Sequence, residues 1–212
     1  MLSTLAAAVV VGHSAGGRPI ELLHIAGAGP RVLVVGCIHG NEPAGIAIVR
    51  ALERTHAHAD LWVVPVLNPD GLARGARQNA DGIDLNRNFA AGWRSFGPPW
   101  SVFAAGPRPF SEPETRVARD LIRRIRPQYT VWYHQHLDLV WAYGRSSRAG
   151  RRYAELAGMR FRHRRWLDGS ATNWQNHLPG GGASFTVELP AGSLDEAAVG
   201  RHVRAVLGLA AP

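Results

Sequence analysis

His39 and Glu42 stand three apart in "GCIHGNEPAG" (36–45), where an apolar run breaks into a bend framed by glycine and proline. An imidazole nitrogen and a carboxylate oxygen just past a buried strand can aim at one point. That is the donor chemistry of zinc, which takes His nitrogen and Glu oxygen at about 2.0 to 2.2 Å. A hydrolytic zinc has three protein ligands and keeps a fourth position for water, so the pair is one ligand short. His134 and His136, in "VWYHQH", are the candidates for the third, the first of them 95 positions beyond His39. Alternation along a strand turns both to the same side, so spacing does not choose between them. Taken singly, a strand-end histidine is an ordinary hydrogen-bonded residue, and only the HxxE pair with its glycine frame argues for more.

Two further stretches carry reactive side chains. "NPDGLARGARQNADGIDLNRNF" (68–89) sets Arg74, Arg77, Asn86 and Arg87 among Asn and Asp residues. The amide of Asn86 and the planar guanidinium of Arg87 suit capture of a carboxylate, and Arg77 can oppose negative charge developing on an attacked carbonyl. A loop rich in Asx turns would have the same composition without the chemistry. "SFTVELP" (184–190) ends an apolar strand on Glu188. A carboxylate there can take a proton from an activated water and pass it to a leaving nitrogen; without a metal nearby it would be a charge reaching solvent at a strand terminus.

These residues need elements to position them. Residues 6–12, 20–26 and 31–38 read as strands between Gly and Pro turns, the third apolar on both faces and therefore central. "PAGIAIVRALERTHAHA" has Ile46, Val49 and Leu52 at helical spacing after an early Pro43, and "LWVVPVL" is a buried strand again. Strand, helix, strand at this spacing predicts an α/β fold with a mixed, largely parallel sheet flanked by helices. Segment 68–113 has little periodicity, and a stretch that long inside a domain is usually functional. Ser111 with Glu114 reads as a capping box opening a helix, "TVWYHQHLDLVWAYG" as one strand, and residues near 148–158 and 193–210 as helices.

Composition sets the limits. With 212 residues, 46% of them hydrophobic, the chain suits one domain spanning 1–212. The single cysteine, Cys37, excludes an internal disulfide or a thiolate cluster, so a metal must rely on His, Asp or Glu. Every basic side chain is arginine, at a net charge of +8, with clusters at Arg160, Arg162, Arg164, Arg165 and at Arg123, Arg124, Arg126. Such runs can hold phosphates but are more often solvated faces, and no aromatic platform or zinc-finger spacing supports nucleic-acid binding. No apolar segment reaches the roughly 18 residues needed to cross a bilayer. The opening residues lack a basic leader and read as part of the fold rather than as an export signal, so a cytoplasmic protein is the expectation, with an exported form the open alternative; a monomer is favoured.

"GHSAGGRPI", "GCIHGNEPAG", "NPDG", "GIDLNRNF", "SEPET" and "SFTVELP" occur in the order found in the zinc carboxypeptidases of the carboxypeptidase A type, and the chain most resembles their short bacterial members, the murein peptide amidases. The resemblance spans nearly the whole chain. It implies one zinc per chain held by His39, Glu42 and His134, with Glu188 as general base and Arg77 as the carbonyl-polarising residue. Asn86 and Arg87 match the pair that grips the substrate's carboxylate, and "GSATNW" the wall of the specificity pocket, with Ala171 and Thr172 small and neutral in it. The implied substrate is a peptide with a free carboxylate, such as a cell-wall peptide. The family's substrate-contacting tyrosine has no counterpart in "RRWLDGSATNWQNHLPGG". Two other readings stay open: an N-acyl amino acid deacylase of the aspartoacylase or succinylglutamate desuccinylase type, which shares "HGNE" and "DLNR", and an inactive peptide- or nucleic-acid-binding domain.

Overall fold

The computed structural model describes residues 8–55 and 58–211. Its eight strands are β1 (Val9–His13), β2 (Pro19–Ile25), β3 (Arg31–Val35), β4 (Asp60–Val64), β5 (Tyr129–Gln135), β6 (Leu139–Ala142), β7 (Arg160–His163) and β8 (Ala183–Leu189). The six α-helices are α1 (Gly45–Leu52), α2 (Pro69–Arg74), α3 (Pro113–Ile125), α4 (Ser147–Ala157), α5 (Ala171–His177) and α6 (Glu196–Leu209). All strands join one sheet in the order β1-β2-β4-β3-β5-β8-β6-β7. At its centre β4, β3, β5 and β8 run parallel, while β2 and β6 pair antiparallel to the ends of that block. The α/β expectation with a mixed, largely parallel sheet therefore holds.

Side-chain alternation splits the interior into two cores. Val32 and Val34 of β3, Val131 and Tyr133 of β5, and Phe185 and Val187 of β8 face one layer with Ile48, Tyr153 and Val206 from α1, α4 and α6. Leu33, Val35 and Trp132 face the other layer with Phe89, Phe110, Leu121 and Trp174. Because β3 is covered on both faces it reads as a continuous apolar run. In the first layer, α1 lies so close to the sheet that a Cβ on Gly45 would fall 2.3 Å from the Gly36 carbonyl oxygen and 2.6 Å from the Tyr133 Cβ. In the second, alternation carries the polar set His134, Ser184, Thr186 and Glu188 along the same sheet face as Trp132.

Several local expectations are corrected. Residues 130–144 form two strands: the chain turns at Asp138, whose φ is 51°, and β6 returns antiparallel to β8. Helix α3 is not capped by Ser111. Glu112 is the N-cap residue and makes no side-chain cap bond, because its carboxylate is engaged by Asn79 Nδ2 (2.7 Å) and Ser111 Oγ (2.6 Å). Pro43 precedes α1, which starts at Gly45. Segment 68–113 contains α2, capped by Asn68, and a 3-10 turn over Leu85–Arg87. The first strand starts at Val9; residues 6 and 7 of the expected strand, and the start of the opening apolar run, lie outside the described residues. The arginine-rich "RFRHRRW" contains the edge strand β7, with Arg160, Arg162, Arg164 and Arg165 exposed and Arg164 stacked over Trp141. Among the described residues no helix is long and apolar enough to cross a membrane.

Candidate metal centre

Beyond β3 the chain bends, and the Cys37 carbonyl accepts from the amides of Leu67 and Asn68, tying this bend to the one after β4. His39 and Glu42 follow at the carboxyl end of the parallel block, where open α/β sheets gather ligands. The bend is tightly fitted: a Cβ on Gly40 would lie 1.8 Å from the backbone carbon of Gly71, so α2 packs directly against the residue after His39. Neighbouring β5 brings His134 to the same point. The Nδ1 atoms of His39 and His134 are 3.1 Å apart, and Glu42 Oε2 lies 3.0 Å from the first and 2.9 Å from the second. All three side chains are buried.

The donor chemistry of this triangle suits a cation. The other nitrogen of His39, Nε2, lies 2.9 Å from Asp84 Oδ1. An ionised carboxylate only accepts, so Nε2 carries a hydrogen toward Asp84, and a metal between Glu42 and His134 would take the Nδ1 lone pair. Two ring nitrogens and a carboxylate oxygen converging this closely are bridged by ring protons or by a cation that takes their place. A tetrahedral zinc with ligands at roughly 2.1 Å separates its donors by only a little over 3 Å. A carboxylate behind a ligating imidazole is the outer-shell arrangement that fixes its tautomer.

The electrostatics agree. Burial alone would raise the Glu42 carboxyl, but the imidazoles of His39 and His134 outweigh it and hold the group well below the ordinary carboxylate range. Asp84 behaves alike: burial pushes it up, and His39, Arg77 and Arg87 bring it down further. Burial works against protonated His39, yet Asp84 and Glu42 raise its pKa above the usual imidazole value in spite of Arg77. Beneath the site, the thiol of Cys37 is fully buried, donates to the His39 carbonyl at 3.1 Å, and is pushed up to about 12 by burial and the nearby Glu42 charge.

Glu188 sits on β8 in register with His134 on β5. It is 9% exposed, and its Oε2 is buried with no hydrogen-bond partner among the described residues. A buried carboxylate oxygen without a partner is costly, so this one marks a position that a donor must fill. Glu188, the His39–Glu42–His134 triangle, Arg77, Asn86, Arg87 and Thr172 all line one cleft of about 210 Å³.

Not every expected residue sits as the sequence suggests. Ala171 does not line the cleft: it opens α5 and is buried in the second core, while its amide donates to Asn86 Oδ1 at 3.0 Å. That bond leaves Asn86 only its Nδ2, 3.4 Å from His134 Nε2, to present. Arg77 is engaged by carboxylates, with Nη1 donating to Glu42 Oε1 at 2.9 Å and Nε to Asp84 Oδ2 at 3.0 Å. The guanidinium of Arg87 lies over the Phe103 ring at 4.8 Å and donates to the Asn86 carbonyl. His136 falls past the end of β5, exposed at the cleft mouth and outside the triangle. Gln135, Leu137, Trp141, Leu167, Ser170 and Thr186 complete the wall, and no tyrosine lines it among the described residues.

Sequence reasoning missed Asp84, whose Oδ1 also accepts from the Asn86 amide. Its position two residues before Asn86 in "DLNR" was the available signal. It missed as well the buried anchor of this loop. Asn79 Nδ2 donates to both Glu112 and Glu114, its Oδ1 accepts from the amides of Asp81 and Ile83, and Glu114 holds the Ala15 amide.

Comparison with known proteins adds an independent line. A family model described as zinc carboxypeptidase matches residues 1–160, a span that includes the triangle and stops short of Glu188. The chain is 36% identical over 121 residues to murein peptide amidase A of Escherichia coli K12, covering 51% of this chain and 50% of that protein. It is 29% identical over 173 residues to carboxypeptidase B of Astacus astacus, covering 66% of this chain and 57% of the relative. The chain thus spans about half the length of the curated relatives it matches most strongly. Among solved structures, the murein-tripeptide amidase of Escherichia coli O157 superposes with a TM-score of 0.79 at 29% identity, over 95% of this chain and 90% of that one. Carboxypeptidase A of Helicoverpa armigera gives 0.82 at 22% identity, covering 97% and 68%, a likeness of fold.

Proposed function

The chain belongs to the zinc carboxypeptidase family, and on that premise we propose that it hydrolyses a peptide or amide bond next to a free carboxylate, with zinc held by His39, Glu42 and His134. Zinc bound there supplies Lewis acidity, bringing the pKa of water down to about 7 and polarising a carbonyl. Glu188 takes the proton the attacking water gives up and delivers it to the leaving nitrogen, so no covalent acyl-enzyme forms. Arg77 opposes charge on the carbonyl oxygen from its seat on Glu42 and Asp84. Asn86 Nδ2 and Arg87 grip the free carboxylate, and the neutral Ser170, Thr172 and Thr186 select no charged group beside them.

The observation that carries this reading is the partnerless, buried Oε2 of Glu188 in the cleft that the three donors line. Glu188→Gln keeps the shape and removes the base. It is expected to leave one zinc per chain and to lower kcat by about 10²- to 10⁴-fold. Unchanged turnover at full zinc content would overturn the role. For substrate we propose a cell-wall peptide, as the name of the Escherichia coli relative suggests. Release of the terminal diamino acid from a murein tripeptide tests that choice, and turnover of N-acyl amino acids in its place would favour a deacylase.

A further inference from the structure

The loop that carries Asp84, Asn86 and Arg87 is fastened at both ends to the first turn of α3. At its far end Asn88, fully buried, accepts at Oδ1 from the Glu112 amide (3.2 Å) and from Thr115 Oγ1 (2.7 Å). At its near end Asn79, equally buried, sets its Nδ2 between two carboxylates, 2.7 Å from Glu112 Oε2 and 3.2 Å from Glu114 Oε2, while its Oδ1 accepts from the Asp81 and Ile83 amides. The other donors to this pair are neutral as well: Ser111 Oγ to Glu112 at 2.6 Å and the Ala15 amide to Glu114 at 3.0 Å.

No cation answers the two carboxylates among the described residues. Arg116 of α3 donates to the Phe110 and Ser111 carbonyls, Arg18 beyond Ala15 pairs with Asp70, and exposed Asp81 past Asn79 adds only negative charge. His13, Asp120 and Arg124 line a separate surface groove along α3. Two buried carboxylates with neutral donors alone are costly to ionise together, so one of them keeps a proton. Burial, with the Glu112 charge adding to it, makes Glu114 that one and raises its carboxyl to about 7.

We propose that Asn79 is a positioning residue: clasped between Glu112 and protonated Glu114, it seats the loop that grips the substrate's carboxylate, and loss of the Glu114 proton loosens that seat. Once ionised, Glu114 sets a second buried negative charge on the same amide, and it reaches water only if the clasp opens. The far fastening uses a backbone amide and a hydroxyl, neither of which titrates near neutrality, so the loop loosens from its near end. What the seated loop grips rests on the hydrolase reading above; the clasp itself does not.

Amide hydrogen exchange on the zinc-loaded full chain reads the clasp directly. Asp81 and Ile83 are expected to be less protected than Val34 in the central strand. Their protection, corrected for the intrinsic rate, is expected to fall about tenfold between pH 6 and pH 8, the change that one proton leaving at about 7 gives. Glu114→Gln has no such proton to lose and should hold it constant. At full zinc content, Asn79→Ala should raise KM about tenfold for a peptide with a free carboxylate and leave kcat within about twofold, since the grip acts in ground state and transition state alike. Protection indifferent to pH, an equal fall in Glu114→Gln, or protection matching that of Val34 would overturn the clasp. A folded Asn79→Ala protein with unchanged KM would overturn the positioning role; should that variant not fold, the exchange comparison decides alone. Exchange that depends on pH in the parent and not in Glu114→Gln, with no peptide hydrolysed, would sink the hydrolase reading and leave the clasp standing.

Discussion

Replacing Asp84 by Asn tests whether the imidazole of His39 is held as a ligand from behind. The Asp84 carboxylate takes four donors: His39 Nε2 and the Asn86 amide on Oδ1, and Arg77 Nε and Nη2 on Oδ2. An amide has one accepting oxygen, so either orientation leaves two donors unmatched. If the new NH₂ faces His39, the imidazole must accept at Nε2 and carry its hydrogen on Nδ1, the atom that would bind the proposed metal. If it faces Arg77, a charged hydrogen-bonded pair worth about 1.5–3 kcal/mol is broken inside the site. Outer-shell losses of this kind cost about 10- to 100-fold in metal affinity, or about 1.4–2.7 kcal/mol. Zinc affinity is read by competition against a chelating dye, with circular dichroism confirming that the chain is folded. A folded Asp84→Asn protein whose zinc dissociation constant lies within twofold of the parent would refute the reasoning.

Two further predictions concern stability and fold. Burial, aided by the neighbouring Glu112 charge, raises the Glu114 carboxyl to about 7 in spite of bonds from Ala15 and Asn79. In the unfolded chain it titrates near 4.5, so the folded state holds the extra proton between those values. The associated stability is full below pH 4.5 and lost as pH rises through 7, a decline of about 3 kcal/mol. Thermal unfolding across pH 5 to 8 should show this fall, and Glu114→Gln should flatten it; an unchanged slope in the variant would assign the effect elsewhere. Gly40→Ala should prevent α2 from seating beside His39, because the contact is with backbone rather than a flexible side chain. The variant is expected to accumulate poorly and bind no zinc, and a stable, zinc-replete Gly40→Ala protein would contradict the packing.

What the sequence made legible follows from which physical signals are local. The strand–bend–helix around His39 and Glu42 was visible because a continuous apolar run gives way there to helical spacing, with glycines marking the bend. His134 and His136 could not be separated by alternation alone. The choice is made by where β5 ends, at Gln135, after which alternation no longer governs direction. Helix α5 was missed because its buried face is polar: Gln175 donates to Thr130 and Gly181, and Asn176 to Thr172 and Ser184, so no apolar stripe announces it. Strand β7, arginine- and histidine-rich at the sheet edge, looked like a charge run because an edge strand requires little apolar surface. Asp84 and Asn79 were hidden among Asx residues whose ordinary work is turning loops. The place of Asp84 in "DLNR" was the one local signal, and Asn79 is distinguished by its long-range partners.

The seat of Cys37 has an experimental consequence. A sulfhydryl sealed under the HxxE bend and kept protonated at every physiological pH is invisible to alkylating reagents while the molecule is closed. Iodoacetamide uptake therefore reports the fraction of molecules in which the floor of the site is laid bare, by opening of this bend or of the whole fold. A second cysteine engineered on the outer surface would take a fluorophore alone, with the native one left in place.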